Sequence, residues 1–283
     1  MTLIHRMKIL MAVIQELGDN IAARDLHGLL FLYCHEFVEN NHYYDFIPQD
    51  AGPFSLQVEA DKEALIKKKC LENTTDWIAK EGVERFAVPL DFFEKIAVQQ
   101  LKNKWQGKGG EELHSYLKEN YSDYFKGSPK ENNAEEEAIF YTIGYEGISP
   151  EAYLNKLLDK NVKLLCDVRK NAFSQKYGFS KSELKDSLAK VGIEYKHIPD
   201  LGIVSEKRQS LNTDKDYREL FDEYDREVLP KQQDKLDLLT KLLEENKRIA
   251  ITCFEAKQCH CHRGRVASAL KNRDEFKYKI EHL

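Results

Sequence analysis

The stretch AIFYTIGYEGISPEAYLNKLLDKNVKLLCDVR, residues 138–169, decides the fold class. Its first part, AIFYTIGYE, is a continuous apolar run that reads as a buried strand. Ser149 and Pro150 then supply an N-cap and a first-turn proline for the helix PEAYLNKLLDK. VKLLCDVR follows as a second apolar strand. The same alternation continues downstream. SKSEL is a capping box, Ser180 with Glu183, that opens the helix KSELKDSLAKVG, and IEYKHI is a third strand. Two charged helices, around YRELFDEYDREVL and QDKLDLLTKLLEEN, lead to a fourth strand, RIAITCFE. The helix RVASALKNR and a strand-like FKYKIEHL complete the pattern. Strand–helix alternation of this kind predicts an α/β domain, a mostly parallel open sheet with helices on both faces.

In such a sheet ligands bind beyond the carboxyl ends of the strands. The polar clusters fall at those ends: GYEG (144–147), DVR (167–169), HIPDLG (197–202) and CFEAKQCHCHR (253–263). They bring Tyr145, Glu146, Asp167, Arg169, His197, Asp200, Glu255, Cys261, His262 and Arg263 to one rim. Packing alone does not require these residue types, so they are expected to form a single site.

Upstream the chain reads mostly helical. LIHRMKILMAVIQEL sets Leu3, Met7, Leu10, Met11, Ile14 and Leu17 on one helical face, and ARDLHGLLFLYCHEFVENN is a second, more buried helix. Gly52-Pro53 breaks the chain, and Ser55 caps a third helix carrying Leu56, Val58, Ala64, Leu65 and Cys70. TTDWIAKEGVERFAVP reads as two short β runs about Glu81-Gly82, a wing. This order predicts a smaller helical winged-helix-like domain over 1–125. KGSPKENNAEEEA, polar and without large apolar residues, predicts a linker over 126–138, with the α/β domain over 139–283.

Both halves resemble known families. TIGYEG, LCDVRKNAFSQKYGFSKSEL, GIEYKHIPDLG and CFEAKQCHCHR together resemble the family labelled domain of unknown function 488, over about residues 140–275. The resemblance implies the α/β fold, a site around Cys261, His262 and Arg263, and a connection with DNA repair or antiviral defence. LLFLYCHEF…YYDFIPQDAGPFS is similar to the helical module of the Panacea/SocA-like antitoxin proteins, over roughly residues 5–90. Their Tyr-Gly-Pro turn is Ala51-Gly52-Pro53 here. That resemblance implies a DNA-binding or docking module.

The stretch CFEAKQCHCHRGRVASAL, 253–270, admits three chemistries. As an anion grip, it would present amides at a helix start near His262, with Arg263 and Arg265 as forked phosphate donors. As a thiol centre, Cys259 and Arg265 have the spacing of a cysteine phosphatase loop, though its interior is bulky rather than glycine-rich. As a metal knuckle, Cys259, His260, Cys261 and His262 offer ligands with Cys253 nearby, but adjacent spacings suit one tetrahedral ion poorly, so no metal ligands are assigned. Beside it, Glu146, Asp167 and Glu255 are the expected general acid–base or nucleophilic groups, with Cys261 and His262. The carboxylates offer Mg²⁺ a place as a possible cofactor. Tyr177 and Phe179, flanked by Lys176 and Lys181, read as a lid that stacks on a base and contacts phosphate. Tyr145, Arg169, His197, Arg263 and Arg265 complete the substrate side.

Composition narrows the classes. The chain has 283 residues, 42% of them hydrophobic, and a net charge of −5, which excludes a global polycation. Residues 247–279 hold nine Lys/Arg against three Asp/Glu, a local basic region. No apolar run approaches a membrane span, the N-terminus lacks a cleavage site, and six cysteines without a regular framework fit the cytoplasm. The expected function is a nucleic-acid- or nucleotide-processing hydrolase acting on damaged or modified bases, its partner DNA or a nucleotide, with homo-oligomerisation left open. A DNA-binding antitoxin-like regulator and a cysteine-dependent phosphatase or sulfur transferase stand as alternatives.

Overall fold

The computed structural model describes residues 3–38, 43–125, 137–204, 214–257 and 261–283. The chain divides into two units, Met1–Pro129 and Lys130–Leu283. Of the linker expected at 126–138, all but residues 137 and 138 lies outside the described residues, as do Cys259 and His260. No helix among the described residues is long and apolar enough to cross a membrane.

The first unit is built on helix α1 (His5–Glu16), which buries Met7, Leu10, Met11 and Ile14 as its periodicity predicts, together with Ile9 and Val13. Strand β1 (Asn20–Ile21) leads to α2 (Ala23–Leu32), extended by a π-helical turn over Tyr33–Phe37. The Gly52-Pro53 break opens the second strand of a hairpin, in which β2 (Ile47–Gln49) turns at Asp50-Ala51 and pairs with β3 (Gly52–Phe54). Gly52 has φ +111, and an added Cβ would meet the Phe125 ring at 3.1 Å. Ser55 caps α3 (Leu56–Lys67) through Val58 N, and β4 (Trp77–Ile78) returns to pair with β1.

The expected wing about Glu81-Gly82 is not formed. Its return strand is replaced by turns, because side chains claim the backbone there. Gln15 donates to Glu84 O (3.0 Å) and accepts from Phe86 N (2.9 Å), and Arg85 pairs with Asp19. Two helices that the sequence reading did not mark follow. They are α4 (Phe92–Trp105), opened by the Asp91/Glu94 capping box, and α5 (Glu111–Asn120).

The second unit is the expected α/β sheet. Its elements are β5 (Ile139–Gly144), α6 (Pro150–Asp159), β6 (Leu164–Asp167), α7 (Lys181–Lys190), β7 (Glu194–His197), α8 (Asp214–Glu223), α9 (Gln233–Asn246), β8 (Arg248–Cys253), α10 (His262–Lys271) and β9 (Lys279–His282). All five strands run parallel in the order β7-β6-β8-β5-β9. Side chains alternate across a strand. Phe140, Cys166, Ile249 and Ile251 therefore share one face, where they pack with Leu236, Leu239 and Leu243 of α9 and Val266 and Leu270 of α10. Tyr153 of α6 lies by Thr252 on the other face, and right-handed crossovers put α7 there too. Strand β8 thus stands between two strands, β6 and β5, whose following helices lie on the opposite face from its own α10. Crevices at the carboxyl edge open at such reversals.

Candidate functional site at the carboxyl edge of the sheet

Asp167, at the end of β6, is fully buried, as is nearly all of Arg169. Arg169 Nε and Nη2 grip both carboxylate oxygens of Asp167, at 2.6–3.1 Å. Asp167 also accepts from the Arg169 amide (3.0 Å) and from Tyr195 OH (2.8 Å). Arg169 Nη1 donates to Tyr145 OH (2.8 Å) and to Phe179 O (2.9 Å). Burial, then the Asp167 charge, raise the Tyr195 hydroxyl pKa far above its ordinary value. These groups satisfy one another completely. Asp167, expected as a catalytic carboxylate, is instead the anchor that fixes the loop leaving β6.

Arg263 has a similar task. It is buried, and its guanidinium donates through Nη1 to Glu255 O and through Nη2 to Ala256 O (2.7 Å). It holds the loop after β8 and does not present a fork to a phosphate. The neighbouring contacts explain why this loop needs GYEG beside it. Tyr145 N and Glu146 N both donate to Phe254 O (3.1 and 2.9 Å), and Glu146 Oε2 accepts from Ala256 N (2.9 Å). A Cβ on Gly144 would stand 2.0 Å from Glu255 O. Glu146, Glu255 and Arg263 do converge, as a brace between the ends of β5 and β8.

The remaining candidates separate. Phe179 is buried, stacked on Tyr145 at 4.3 Å and edge-on to Tyr153, so it closes the core and is not a stacking lid. Tyr177 is 41% exposed. Lys181 Nζ lies 3.3 Å from His197 Nδ1, and His197 Nε2 donates to Arg169 O (2.8 Å), another tie on the same loop. Arg265 points to α8 and the turn after it, pairing with Asp225 at 3.0 Å. Of the carboxylates expected to offer Mg²⁺ a place, Asp167 is tied to Arg169 and Tyr195, and Glu146 accepts from the Ala256 amide.

What these braces enclose is a pocket of about 420 Å³. Tyr145, Arg169, Lys170, Asn171, Phe173, Ser174, Gln175, Lys176, Ile203, Cys253, Phe254 and His262 line it. It lies at the reversal between β6, β8 and β5. Arg169, Lys170 and Lys176 are cationic, and no carboxylate is among the lining residues. Lys176 Nζ donates to Tyr145 O (2.8 Å); burial lowers its pKa, against the opposing pull of Glu146. Phe173 and Phe254 expose 68% and 41% of their surface.

Residues 149–270 match the family model described as Domain of unknown function DUF488. The match begins at the N-cap of α6 and ends within α10, so it takes in the loops after β6 and β8 and lies wholly inside the second unit. No curated protein and no solved structure matches the chain.

At the base of the pocket, Cys253 ends β8 and His262 begins α10. Cys253 Sγ lies 3.3 Å from His262 Nδ1 and 3.3 Å from Glu255 Oε2. His262 Nε2–H donates to Val168 O (2.9 Å), which in the neutral ring leaves Nδ1 with its lone pair toward the sulfur. Cys261 is buried beside them, and burial, then Cys253, push its thiol pKa well up. A metal-free thiol of this kind is a poor nucleophile. The sequence places Cys253 only beside a disfavoured metal knuckle, and Phe173 and Phe254 are not among the site residues expected from it. Cys253 ends an apolar strand and reads as core, yet its parity with Ile249 and Ile251 places it on the α10 face, against His262.

Proposed function

We propose that the second unit is a hydrolase that takes a nucleotide, or a nucleotide within a nucleic-acid strand, into the carboxyl-edge pocket. One observation carries the reading: the pocket joins clustered cations to exposed aromatic rings over a base of Cys253, His262 and the adjacent Glu255. Lys170 and Lys176 neutralise phosphate, and Phe173 and Phe254 offer π faces to a base, a pairing suited to nucleotides. Glu255, partly exposed and just behind the lining residue Cys253, is the nearest carboxylate described there and serves as the base for an attacking water. The first unit supplies a nucleic-acid-binding or docking module.

Labelled single- and double-stranded DNA, RNA oligonucleotides and free nucleotides, incubated with the full chain, test this. Released base, abasic sites or strand breaks are expected, with Glu255→Gln lowering turnover by about 10²-fold or more while binding persists. Salt-sensitive binding with no product from any substrate would sink the hydrolase and favour a ligand-sensing regulator.

A further inference from the structure

Cys253, Cys261 and His262 meet where β8 ends and α10 begins, and one ligand atom from each lies within 4.8 Å of the others. The two sulfurs lie 3.3 and 4.0 Å from His262 Nδ1. Tetrahedral zinc, with Zn–S about 2.3 Å and Zn–N about 2.0–2.1 Å, sets a sulfur-to-nitrogen edge of about 3.5 Å. Both observed distances fall within about half an ångström of that edge. Three corners of a coordination tetrahedron are therefore present before any rearrangement.

The surroundings match a metal centre in two further respects. A ligating histidine ordinarily gives its second N–H to a carbonyl or carboxylate, which fixes the ring and its tautomer. His262 Nε2–H does this with Val168 O at 2.9 Å. All three side chains are buried, Cys253 and His262 line the pocket, and among the described residues no further His, Cys or carboxylate joins the group, so the fourth position is directed to the pocket.

We propose that Cys253, Cys261 and His262 form a Cys₂His site for a thiophilic divalent ion, zinc foremost, with its fourth position open to the pocket. Three protein ligands and one open position distinguish a catalytic zinc from a structural one, and an ion so held activates bound water. Spacing within CHCH disfavours metal when those four consecutive residues are taken alone, because they cannot together surround one tetrahedral ion. The third ligand comes from β8, eight residues before Cys261. The site stands on these residues alone; only the ion's action on a pocket ligand rests on the hydrolase reading.

The test uses the full chain, purified under reducing conditions without chelator. Elemental analysis should find zinc, and the metal-depleted chain should take up Co²⁺ with sulfur-to-cobalt charge-transfer absorption and the intense visible bands of tetrahedral coordination. Cys253→Ser, Cys261→Ser and His262→Gln should each weaken cobalt binding by at least the ~10–100-fold typical of outer-shell changes. Cys166→Ser, a buried cysteine outside the cluster, should leave the spectrum unchanged. Thermal melts of the depleted variants separate lost ligation from lost folding. A folded wild-type chain whose cobalt spectrum lacks the thiolate band, or a Cys253→Ser variant that binds cobalt with unchanged affinity and undiminished thiolate absorption, overturns the site. Full turnover by the metal-depleted chain with inactivation on thiol alkylation overturns the ion's catalytic role and leaves the hydrolase standing with Cys253 as its nucleophile. The expected cobalt spectrum without product from any nucleotide supports the site and sinks the hydrolase.

Discussion

Asp167 and Arg169 show how a residue pair can look catalytic and be structural. With both side chains buried, removing one charge strands the other. Asp167→Asn should lower stability by about 3–5 kcal/mol, read from the denaturant midpoint; a change inside the error of the measurement would contradict the anchoring role. The exposed rings make the opposite case. Phe254→Ala should leave the midpoint in place and weaken nucleotide binding by about 1–3 kcal/mol, the worth of one base stack, as followed by calorimetry. Lys176 brings a pH dependence. Burial lowers its pKa, so it loses its charge below the ordinary lysine range near 10.5. Anion affinity should therefore fall on the alkaline side earlier than for a surface lysine, and Lys176→Arg, charged throughout, should hold it. An identical alkaline profile for the two proteins would count against Lys176 as the anion's partner. At this scale the sequence marked where charge gathers but not which way it faces. Arg263 turns inward to carbonyls, and nothing in CHRGR distinguishes that from an outward fork.

Elements were more legible than their partners. Apolar runs with Ser149-Pro150 and the Ser180/Glu183 box marked β5 to β8, α6 and α7, because local capping and periodicity determine those. The supposed wing failed because Gln15, some 70 residues away in sequence, occupies its backbone groups; no local pattern encodes that. The loop after β8 depends on Gly144 in the same non-local way. Gly144→Ala would set a methyl group 2.0 Å from Glu255 O. The expected result is displacement of the 254–256 loop, seen as lost nucleotide binding and a lower melting temperature. Unaltered binding in this variant would show that the loop accommodates the methyl without shaping the pocket.

On the scale of the whole molecule, each unit carries its own apolar cluster. Residues 1–129 and 130–283, expressed separately, should each unfold cooperatively. Acid should weaken the first in particular. Burial opposes ionisation of Glu36 and Glu94. Hydrogen bonds outweigh it, from Lys104, Tyr116 and Tyr121 to Glu36 and from Tyr43, His5 and the Asp91 amide to Glu94, and both carboxyls end below the ordinary 4.5. Their contribution is complete above that value and is lost as pH falls through the lower folded values. A urea midpoint for residues 1–129 that stayed level from about pH 5 to pH 3 would contradict it. The sheet order has a further, kinetic consequence. Ile139 of β5 pairs with Arg248 of β8 and Lys279 of β9, so the first strand of the unit has no neighbour until the last two exist. Strand β5, buried along its whole length, must wait unpaired while the ribosome makes everything between. Such long-range pairing slows folding and leaves an apolar strand exposed to aggregation. Assembly of the pocket, whose walls begin at the ends of β5 and β8, is thereby deferred until after that synthesis.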